Sequence, residues 1–183
     1  PGALEDVPEA ALRLVMETNL IGPLLLTKAV LPHMRARRGG CIIMVSSLSG
    51  IAGLPGDLPY AASKFALEGA TEALRHEVDR WGIRLALVEA GMYSTGIFDS
   101  YAAETVRLPD DYPQDSPYRA LVENRLNEIH KRRSEAFDPR IVGELFVTIA
   151  KSEGTQLRWP ADAVATKVLK TMFGQDDTGR DEF

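Results

Sequence analysis

Residues 47–64 read SLSGIAGLPGDLPYAASK and carry the strongest structural signal in this sequence. Tyr60 and Lys64 are four residues apart, so on a helix their side chains share one face. A free tyrosine titrates near pH ~10 and is a poor base at neutral pH, but a nearby ammonium favours the phenolate and lowers the tyrosine pKa. Ser47, thirteen residues before Tyr60, can hydrogen-bond a substrate oxygen. The stretch therefore predicts a proton-transfer site for an alcohol or a carbonyl compound.

These residues resemble the pattern of the short-chain dehydrogenase/reductase family. That pattern is a Ser, a Tyr-x-x-x-Lys thirteen residues later and an Asn on the preceding helix, and it is met here by Ser47, Tyr60, Lys64 and Asn19. An accidental Tyr-x-x-x-Lys has a probability of roughly 0.16 in this composition, and the fixed Ser reduces that probability to about 0.01. The resemblance implies an oxidoreductase that moves hydride between NAD or NADP and an alcohol or ketone. The sequence at residues 19–23 most resembles the retinol and hydroxysteroid dehydrogenase branch of that family.

The resemblance also implies a role for each residue. Tyr60 would be the acid/base, and Lys64 would lower the Tyr60 pKa and bind the nicotinamide ribose. Ser47 would polarise the substrate oxygen, and Asn19 would sustain a proton relay through a water. Pro23 should kink the helix that carries Asn19, because its ring clashes with the Asn19 carbonyl four residues back. The alternative is that Asn19 is a tolerated polar residue in a kinked helix.

A second matching segment, Ala90-Gly91-Met92-Tyr93-Ser94-Thr95, follows an apolar strand pattern. In the resembled family a Pro-Gly-x-(Val/Ile)-x-Thr loop holds the nicotinamide carboxamide at this place. Gly91 and Thr95 match that loop, whereas Ala90 replaces the proline and Tyr93 replaces the small branched residue. The resemblance implies that the segment binds cofactor, and an ordinary glycine-containing turn is the alternative.

The expected fold class is α/β, a partial Rossmann-like, doubly wound parallel sheet. No Gly-rich phosphate-binding turn of the G-x-G-x-x-G type occurs in the chain. Residues 1–183 are therefore interpreted as the C-terminal part of one domain, with the N-terminal strands and the Gly-rich turn missing. Without them the choice between NAD and NADP cannot be made. One alternative function is a catalytically incomplete, dimerising fragment, and another is an epimerase or dehydratase of nucleotide sugars, which also uses Tyr-x-x-x-Lys.

Hydrophobic periodicity and capping residues predict the individual elements. Asp6 and Asp57 are expected to cap two long helices, and Ser116-Pro117 and Asp138-Pro139 are expected to start two more. The predicted elements are a helix over 6–38, a strand over 41–45 buried on both faces, a helix over 59–81, strands over 83–89 and 156–159, and a helix over 161–173.

Three regions outside these elements carry functional expectations. Residues 97–137 form a long, proline-broken segment with apolar character, and in the resembled family this segment covers the substrate, which predicts a lid over a lipophilic substrate; the alternative is that the same residues are helix core. Residues 175–183 are polar and acidic, and a disordered tail is expected there. The helices over 6–38 and 59–81 are expected to pair in a homo-oligomer, as is common in the resembled family.

Composition excludes several classes of protein. A net charge of -5 and a pI near 5.3 argue against a nucleic-acid partner. The three histidines are scattered, and no metal site is expected. No uninterrupted apolar run approaches the ~20 residues that span a bilayer, so no transmembrane segment is expected. Cys41 is the single cysteine, so no internal disulfide is possible and a reducing cytoplasm fits, and the resemblance implies a small-molecule alcohol or carbonyl substrate.

Overall fold

In the computed structural model of the protein, residues 1–96, 108 and 112–174 are described. Helices and strands alternate along much of this part of the chain, as the α/β prediction requires. In chain order they are α1 (Glu9–Met16), a π-helical turn (Glu17–Ile21), α2 (Gly22–Arg37), β1 (Gly40–Val45), α3 (Leu58–Val78), β2 (Ile83–Glu89), α4 (Arg119–Arg132), α5 (Arg140–Lys151), β3 (Arg158–Pro160) and α6 (Ala163–Gly174). Short 3₁₀ turns occupy Leu48–Gly50, Asp79–Trp81 and Arg133–Glu135.

The strands of the described ranges form one parallel sheet in the order β1-β2-β3. The central strand β2 is almost wholly buried, in agreement with its apolar sequence. Strand β1 is less buried than predicted, and Val45 at its end is 45% exposed. The reason is positional, since within the described residues β1 pairs with β2 alone.

Helices cover both faces of the sheet, which confirms the doubly wound, Rossmann-like class. On one face Ile83, Leu85 and Leu87 of β2 pack with buried side chains of α3. On the other face Ala86 and Val88 pack with Ile149 of α5. Because side chains alternate along a strand, β2 supplies apolar residues to both layers.

The prediction of Asp6 as an N-cap is wrong, whereas Asp57 occupies the N-cap position of α3 as predicted but does not cap the helix with its side chain. Helix α1 begins at Glu9, and Asp6 instead accepts hydrogen bonds from the hydroxyls of Tyr112 and Ser116. Asp57 stands just before α3 but makes no capping hydrogen bond, because its carboxylate pairs with Arg125 at 2.6 Å. A guanidinium is a stronger partner for a carboxylate than a backbone N–H, which explains the change.

The predicted helix over 6–38 runs from Glu9 to Arg37 and contains a π-helical turn, with no sharp break at Pro23. It ends because Arg38 adopts a left-handed conformation, with φ of 50°. By length and composition this helix could cross a membrane, since an 18-residue window has a mean hydropathy of 1.4. A helix of a soluble core passes the same criterion, so the expected lack of a membrane span stays a prediction.

The lid and tail predictions fall largely outside the described residues. Residues 97–107, 109–111 and 175–183 are not described, so neither prediction is tested there. Within the rest of the proposed lid, Leu108 and Tyr112 are buried against Val122 and Leu126 of α4. Helix α4 begins at Arg119, two residues after Pro117, and helix α5 begins at Arg140, one residue after Pro139.

Candidate active site

Ser47 lies at the carboxyl end of β1, where open α/β sheets bind ligands. The ladder with β2 continues past the strand, because the Ser46 N–H donates to Val88 O at 2.9 Å and the Leu48 N–H donates to Ala90 O at 3.2 Å. The Ser47 hydroxyl accepts a hydrogen bond from the Ser49 N–H at 3.2 Å. These contacts fix Ser47 beside the start of the predicted cofactor loop.

Tyr60 and Lys64 occupy the first two turns of α3 and point toward the same end of the sheet. The Lys64 Nζ donates to the carbonyl of Val45 at 3.0 Å, directly before the two serines. The same Nζ lies 5.7 Å from the centroid of the Tyr60 ring. The structure thus brings together the three residues that the sequence spacing selects.

The electrostatics of the pair differ from the expectation that Lys64 lowers the Tyr60 pKa. Burial raises the pKa of Tyr60, a hydrogen bond from Ser47 lowers it, and the charge of Asp57 raises it further, with a net upward direction. Burial lowers the pKa of Lys64, and the charge of Glu68 opposes that effect. The Lys64 ammonium is bonded to a backbone carbonyl, so in this arrangement Ser47 is the group that favours the phenolate.

The side chain of Asn19 is hydrogen-bonded to helix α3. Its Nδ2 donates to Ser63 Oγ at 3.1 Å, and Ser63 Oγ donates to Tyr60 O at 2.7 Å. Sequence reasoning invoked the Asn19 carbonyl and missed Ser63. The signal was available, because Ser63 directly precedes Lys64 in the Tyr-x-x-x-Lys motif.

The π-helical turn places Asn19 in this position. The Gly22 N–H donates to Glu17 O, five residues back, and Pro23 has no N–H to donate. Such turns insert an extra residue into a helix and often occur at functional sites. Where the sequence predicted a kink, the structure has this wider turn, centred on Asn19.

The segment from Ala90 to Thr95 leaves β2 and is pinned to the α5 side of the sheet. The Ser94 N–H donates to Phe137 O and the Phe137 N–H donates to Met92 O, each at 2.9 Å. The Tyr93 side chain is buried and its hydroxyl donates to Asp162 Oδ2 at 2.7 Å. The Tyr93 side chain therefore holds the loop in place, and its hydroxyl is already hydrogen-bonded to Asp162.

Two buried charge groups near the site were not found from the sequence. The Asp57–Arg125 ion pair lies next to Tyr60, and Glu68 lies one turn after Lys64 beside Glu89 and Arg158. Arg125 has no sequence signal, because it is 68 residues from Asp57. Glu68 could have been identified, because it follows Lys64 by four residues on the same helix face.

A cavity of about 430 Å³ adjoins Tyr60 between α1, the start of α3 and residues 112–113. Most of its lining is apolar, and its carboxylates are already bonded to Tyr112, Ser116 and Arg125. Its lining residues are Pro1, Gly2, Asp6, Val7, Pro8, Ala11, Val15, Asp57, Pro59, Tyr60, Tyr112 and Pro113. Across the described ranges, no group of three or more potential metal ligands is found.

A model of the family described as short chain dehydrogenase matches residues 1–105, which include the three site residues above and Asn19. The chain belongs to the short-chain dehydrogenase family. An uncharacterized oxidoreductase of Bacillus subtilis is 40% identical over 160 residues, covering 87% of this chain and 56% of that protein. A 3-ketodihydrosphingosine reductase of Bacteroides thetaiotaomicron is 37% identical, covering 86% and 56%. A 17-beta-hydroxysteroid dehydrogenase type 1 of Mus musculus is 32% identical, covering 86% and 45%.

Solved structures of short-chain dehydrogenases give the same assignment. One from Streptomyces avermitilis superposes with a TM-score of 0.75 at 29% identity and covers 99% of this chain and 62% of that one. A gluconate 5-dehydrogenase from Burkholderia cenocepacia, solved with NADP and tartrate, gives a TM-score of 0.53 at 27% identity, covering 56% and 40%. The chain spans about half the length of the curated relatives it matches.

The residues of this short-chain dehydrogenase fit part of a nicotinamide cofactor site. An ammonium has three N–H donors and Lys64 uses one on Val45, which leaves donors for ribose hydroxyls. In the predicted cofactor loop, Gly91 is constrained, because a Cβ there would lie 3.0 Å from Asp162 Oδ2. The described residues include no Gly-rich turn for the pyrophosphate.

Proposed function

We propose that the protein to which this chain belongs is an oxidoreductase that interconverts an alcohol and a ketone or aldehyde with NAD or NADP. The observation that carries the proposal is the convergence of Ser47, Tyr60 and Lys64 at the carboxyl ends of β1 and β2. The NADP complex of the Burkholderia cenocepacia relative supports the cofactor class.

Each residue of the site has a chemical role in this proposal. In the oxidising direction the Tyr60 phenolate takes the hydroxyl proton of the substrate, and in the reducing direction the Tyr60 phenol returns it. Ser47 hydrogen-bonds the same substrate oxygen and favours the phenolate. A bound nicotinamide would supply the hydride acceptor or donor, since no side chain can carry hydride.

Three further groups hold the components in place. Lys64 binds the ribose hydroxyls of the cofactor, and the backbone of residues 90–95, with the Thr95 side chain, receives its carboxamide. Asn19 holds the water of a proton relay that runs past Lys64. The Asn19–Ser63 hydrogen bond supports this role, because it fixes the amide one residue from Lys64.

The proposed substrate is lipophilic. The apolar lining of the cavity beside Tyr60 supports this, because burying apolar surface contributes about 25 cal/mol per Å². The names of the sphingosine and hydroxysteroid relatives point the same way. We also propose a cytoplasmic protein without a nucleic-acid partner.

The proposed assembly is a homo-oligomer formed through the long helix and α3. Several large apolar side chains of these helices are exposed, and such surface is typical of an interface when it is contiguous. They are Leu14, Leu25, Leu26, Leu58 and Phe65.

The test of the proposed function is Tyr60→Phe in a protein that contains this chain and any residues encoded before it. We expect loss of at least about a hundredfold in kcat with retinol-like and steroid-like alcohols, because Phe cannot exchange a proton. Tyr118→Phe, at a partly exposed tyrosine of the α4 start, is the matched control and should retain activity. Activity of the Tyr60 variant within tenfold of the parent contradicts the assignment.

A fluorescence titration with NADH and NADPH separates the enzyme from the alternative of an incomplete fragment. Saturable binding to the folded 183-residue chain supports a working half-site. Absence of binding at millimolar cofactor supports the fragment.

A further inference from the structure

Glu68 and Glu89 face each other in the protein interior beneath the active site. Glu89 is fully buried at the end of β2, and Glu68 of α3 is 4% exposed. Both carboxylate oxygens of Glu89 and one of Glu68 have no hydrogen-bond partner among the described residues. Two ionised carboxylates have no proton to share, whereas a proton on one of them supplies the missing donor. One proton held between the two groups would satisfy this arrangement.

The surrounding charges decide which carboxyl is ionised. Arg158 of β3 donates through Nε to Glu68 Oε2 at 3.0 Å, and its Nη1 lies 3.0 Å from Glu72 Oε1. The same Nε is 3.9 Å from Glu89. Burial and the neighbouring Glu68 raise the pKa of Glu89, while Arg158 and the Ser46 hydroxyl lower it less. Because Glu89 is fully buried and lies farther from the Arg158 cation than Glu68 does, Glu89 is the better place for the proton and Glu68 the better place for the negative charge.

The side chains of Glu68, Lys64 and Ser46 all approach the backbone of Gly50. A Cβ built on Gly50 would lie 2.7 Å from Ser46 Oγ, and 3.3 Å from both Glu68 Cγ and Lys64 Cβ. The three side chains thus converge on one point of the backbone, which leaves no room for another side chain. In such a place a charge is weakly screened, so Glu68 acts on the Lys64 ammonium.

We propose that the Glu68–Glu89 pair is a positioning element of the active site, which holds one proton and places one negative charge behind Lys64 so that Lys64 stays protonated. The pair acts through Lys64 and touches neither substrate nor cofactor. The functional consequence rests on the proposed function, because a protonated Lys64 is what binds the ribose hydroxyls. Burial opposes the charged form of Lys64 and lowers its pKa, and the negative charge of Glu68 acts against that effect.

The test measures Lys64 directly on the 183-residue chain and needs no catalysis. The rate of acetylation by acetic anhydride is followed by mass spectrometry from about pH 6 to about pH 10, with exposed Lys28 as internal reference. Glu68→Gln should shift the Lys64 profile to lower pH and raise its relative rate at about pH 8 by about threefold or more. A Tyr60→Phe enzyme that stays active would sink the proposed function and leave this readout intact.

Two matched variants separate charge from structure. Glu72→Gln removes a carboxylate that contacts the same Arg158 but is half exposed, and Glu68→Asp keeps the charge. In both variants the acetylation rate of Lys64 should stay within twofold of the parent's rate. Glu89→Gln should give the same result, because a neutral amide replaces a neutral acid. An unchanged profile in folded Glu68→Gln overturns the proposal, as does an equal acceleration in Glu72→Gln.

Glu89→Gln supplies a second test should Glu68→Gln fail to fold. An acid whose folded-state pKa is raised stabilises the fold at low pH and loses that stabilisation as pH rises toward the folded-state pKa. The amide does not titrate, so the stability of Glu89→Gln should gain on the parent as the pH rises above the ordinary carboxyl value of 4.5. Equal pH dependence of urea unfolding in both proteins would show that no proton is held, against the proposal.

Discussion

Gly50 is the residue at which the backbone of the site is most tightly packed. Replacing Gly50 by Ala places a methyl group 2.7 Å from Ser46 Oγ and against the stems of Lys64 and Glu68. We expect a destabilisation of about 1–3 kcal/mol in urea unfolding, since extra volume in a packed interior forces displacements. Lys64 should also move, with a rise in KM for the cofactor.

Gly53→Ala is the matched control for this prediction. A Cβ at Gly53 meets nothing within 4 Å, and the residue does not need a positive φ. Its unfolding free energy should change by less than about 1 kcal/mol, with any gain coming from the lower entropy of the unfolded chain. Equal losses in the two variants would refute the crowding argument.

At the scale of single residues, sequence reasoning located the site better than it described its electrostatics. The fixed spacing of Ser47, Tyr60 and Lys64 was sufficient to bring them together in the structure. The predicted downward shift of the Tyr60 pKa is not found in the structure, because burial raises that pKa. Burial depends on the tertiary packing of α3, which the local sequence does not reveal. Arg125 was missed because its partner Asp57 lies 68 residues away in the chain, whereas Ser63 was missed although it directly precedes Lys64 in the motif.

Between elements, the Asp57–Arg125 ion pair joins the start of α3 to α4. Arg125→Gln leaves the Asp57 carboxylate, whose side chain is 9% exposed, without its cation. We expect a loss of about 3 kcal/mol in unfolding free energy. Because the charge of Asp57 raises the pKa of Tyr60, the rising limb of the pH profile for alcohol oxidation should also move to higher pH.

Arg119→Gln tests whether that effect is specific to the buried pair. Arg119 forms an ion pair with Glu123 on the same helix, but both side chains are more exposed, at 28% and 48%. Surface pairs of this kind contribute about 0.3–0.5 kcal/mol, so this variant should stay close to the parent. A comparable loss in both variants would mean that any charge removal weakens α4.

The central elements were predictable because local patterns determine them. Strand β2 is observed at Ile83–Glu89, and its apolar run is flanked by Gly82 and by the predicted cofactor loop at residues 90–95. The start of the first helix was predicted less well, because Asp6 took partners from residues 112–116, and Asp57 stands at the N-cap of α3 but its carboxylate pairs with Arg125. A capping residue that finds a tertiary partner is no longer available to its helix.

For the whole molecule, the exposed apolar side chains of the long helix lead to a prediction about assembly. Leu25 is 59% exposed, and Leu25→Glu should convert the proposed oligomer to monomers in sedimentation equilibrium, because a charge in an apolar interface is costly to bury. Val147→Glu on α5, at a residue 52% exposed, is the control and should leave the mass unchanged. A monomeric parent chain at micromolar concentration would contradict the proposed interface.

The overall class was predicted through the family resemblance, and the alternation of apolar strands with helices agrees with a parallel sheet covered on both faces. What the sequence could not supply was the relative burial of the strands. Burial of β1 depends on which strands flank it, and that is a property of the assembled sheet.

The π-helical turn at Glu17–Ile21 has a consequence for protein engineering. One residue advances an α-helix by about 100°, so deleting a residue here to make the helix regular would rotate α2 relative to α1 by that angle. Thr27, buried on α2, and Asn19, bonded to Ser63, could then not both keep their contacts. Deleting a residue at this turn would make the helix regular but would be expected to reduce activity. A screen for stability alone that accepted such a deletion would therefore select inactive protein.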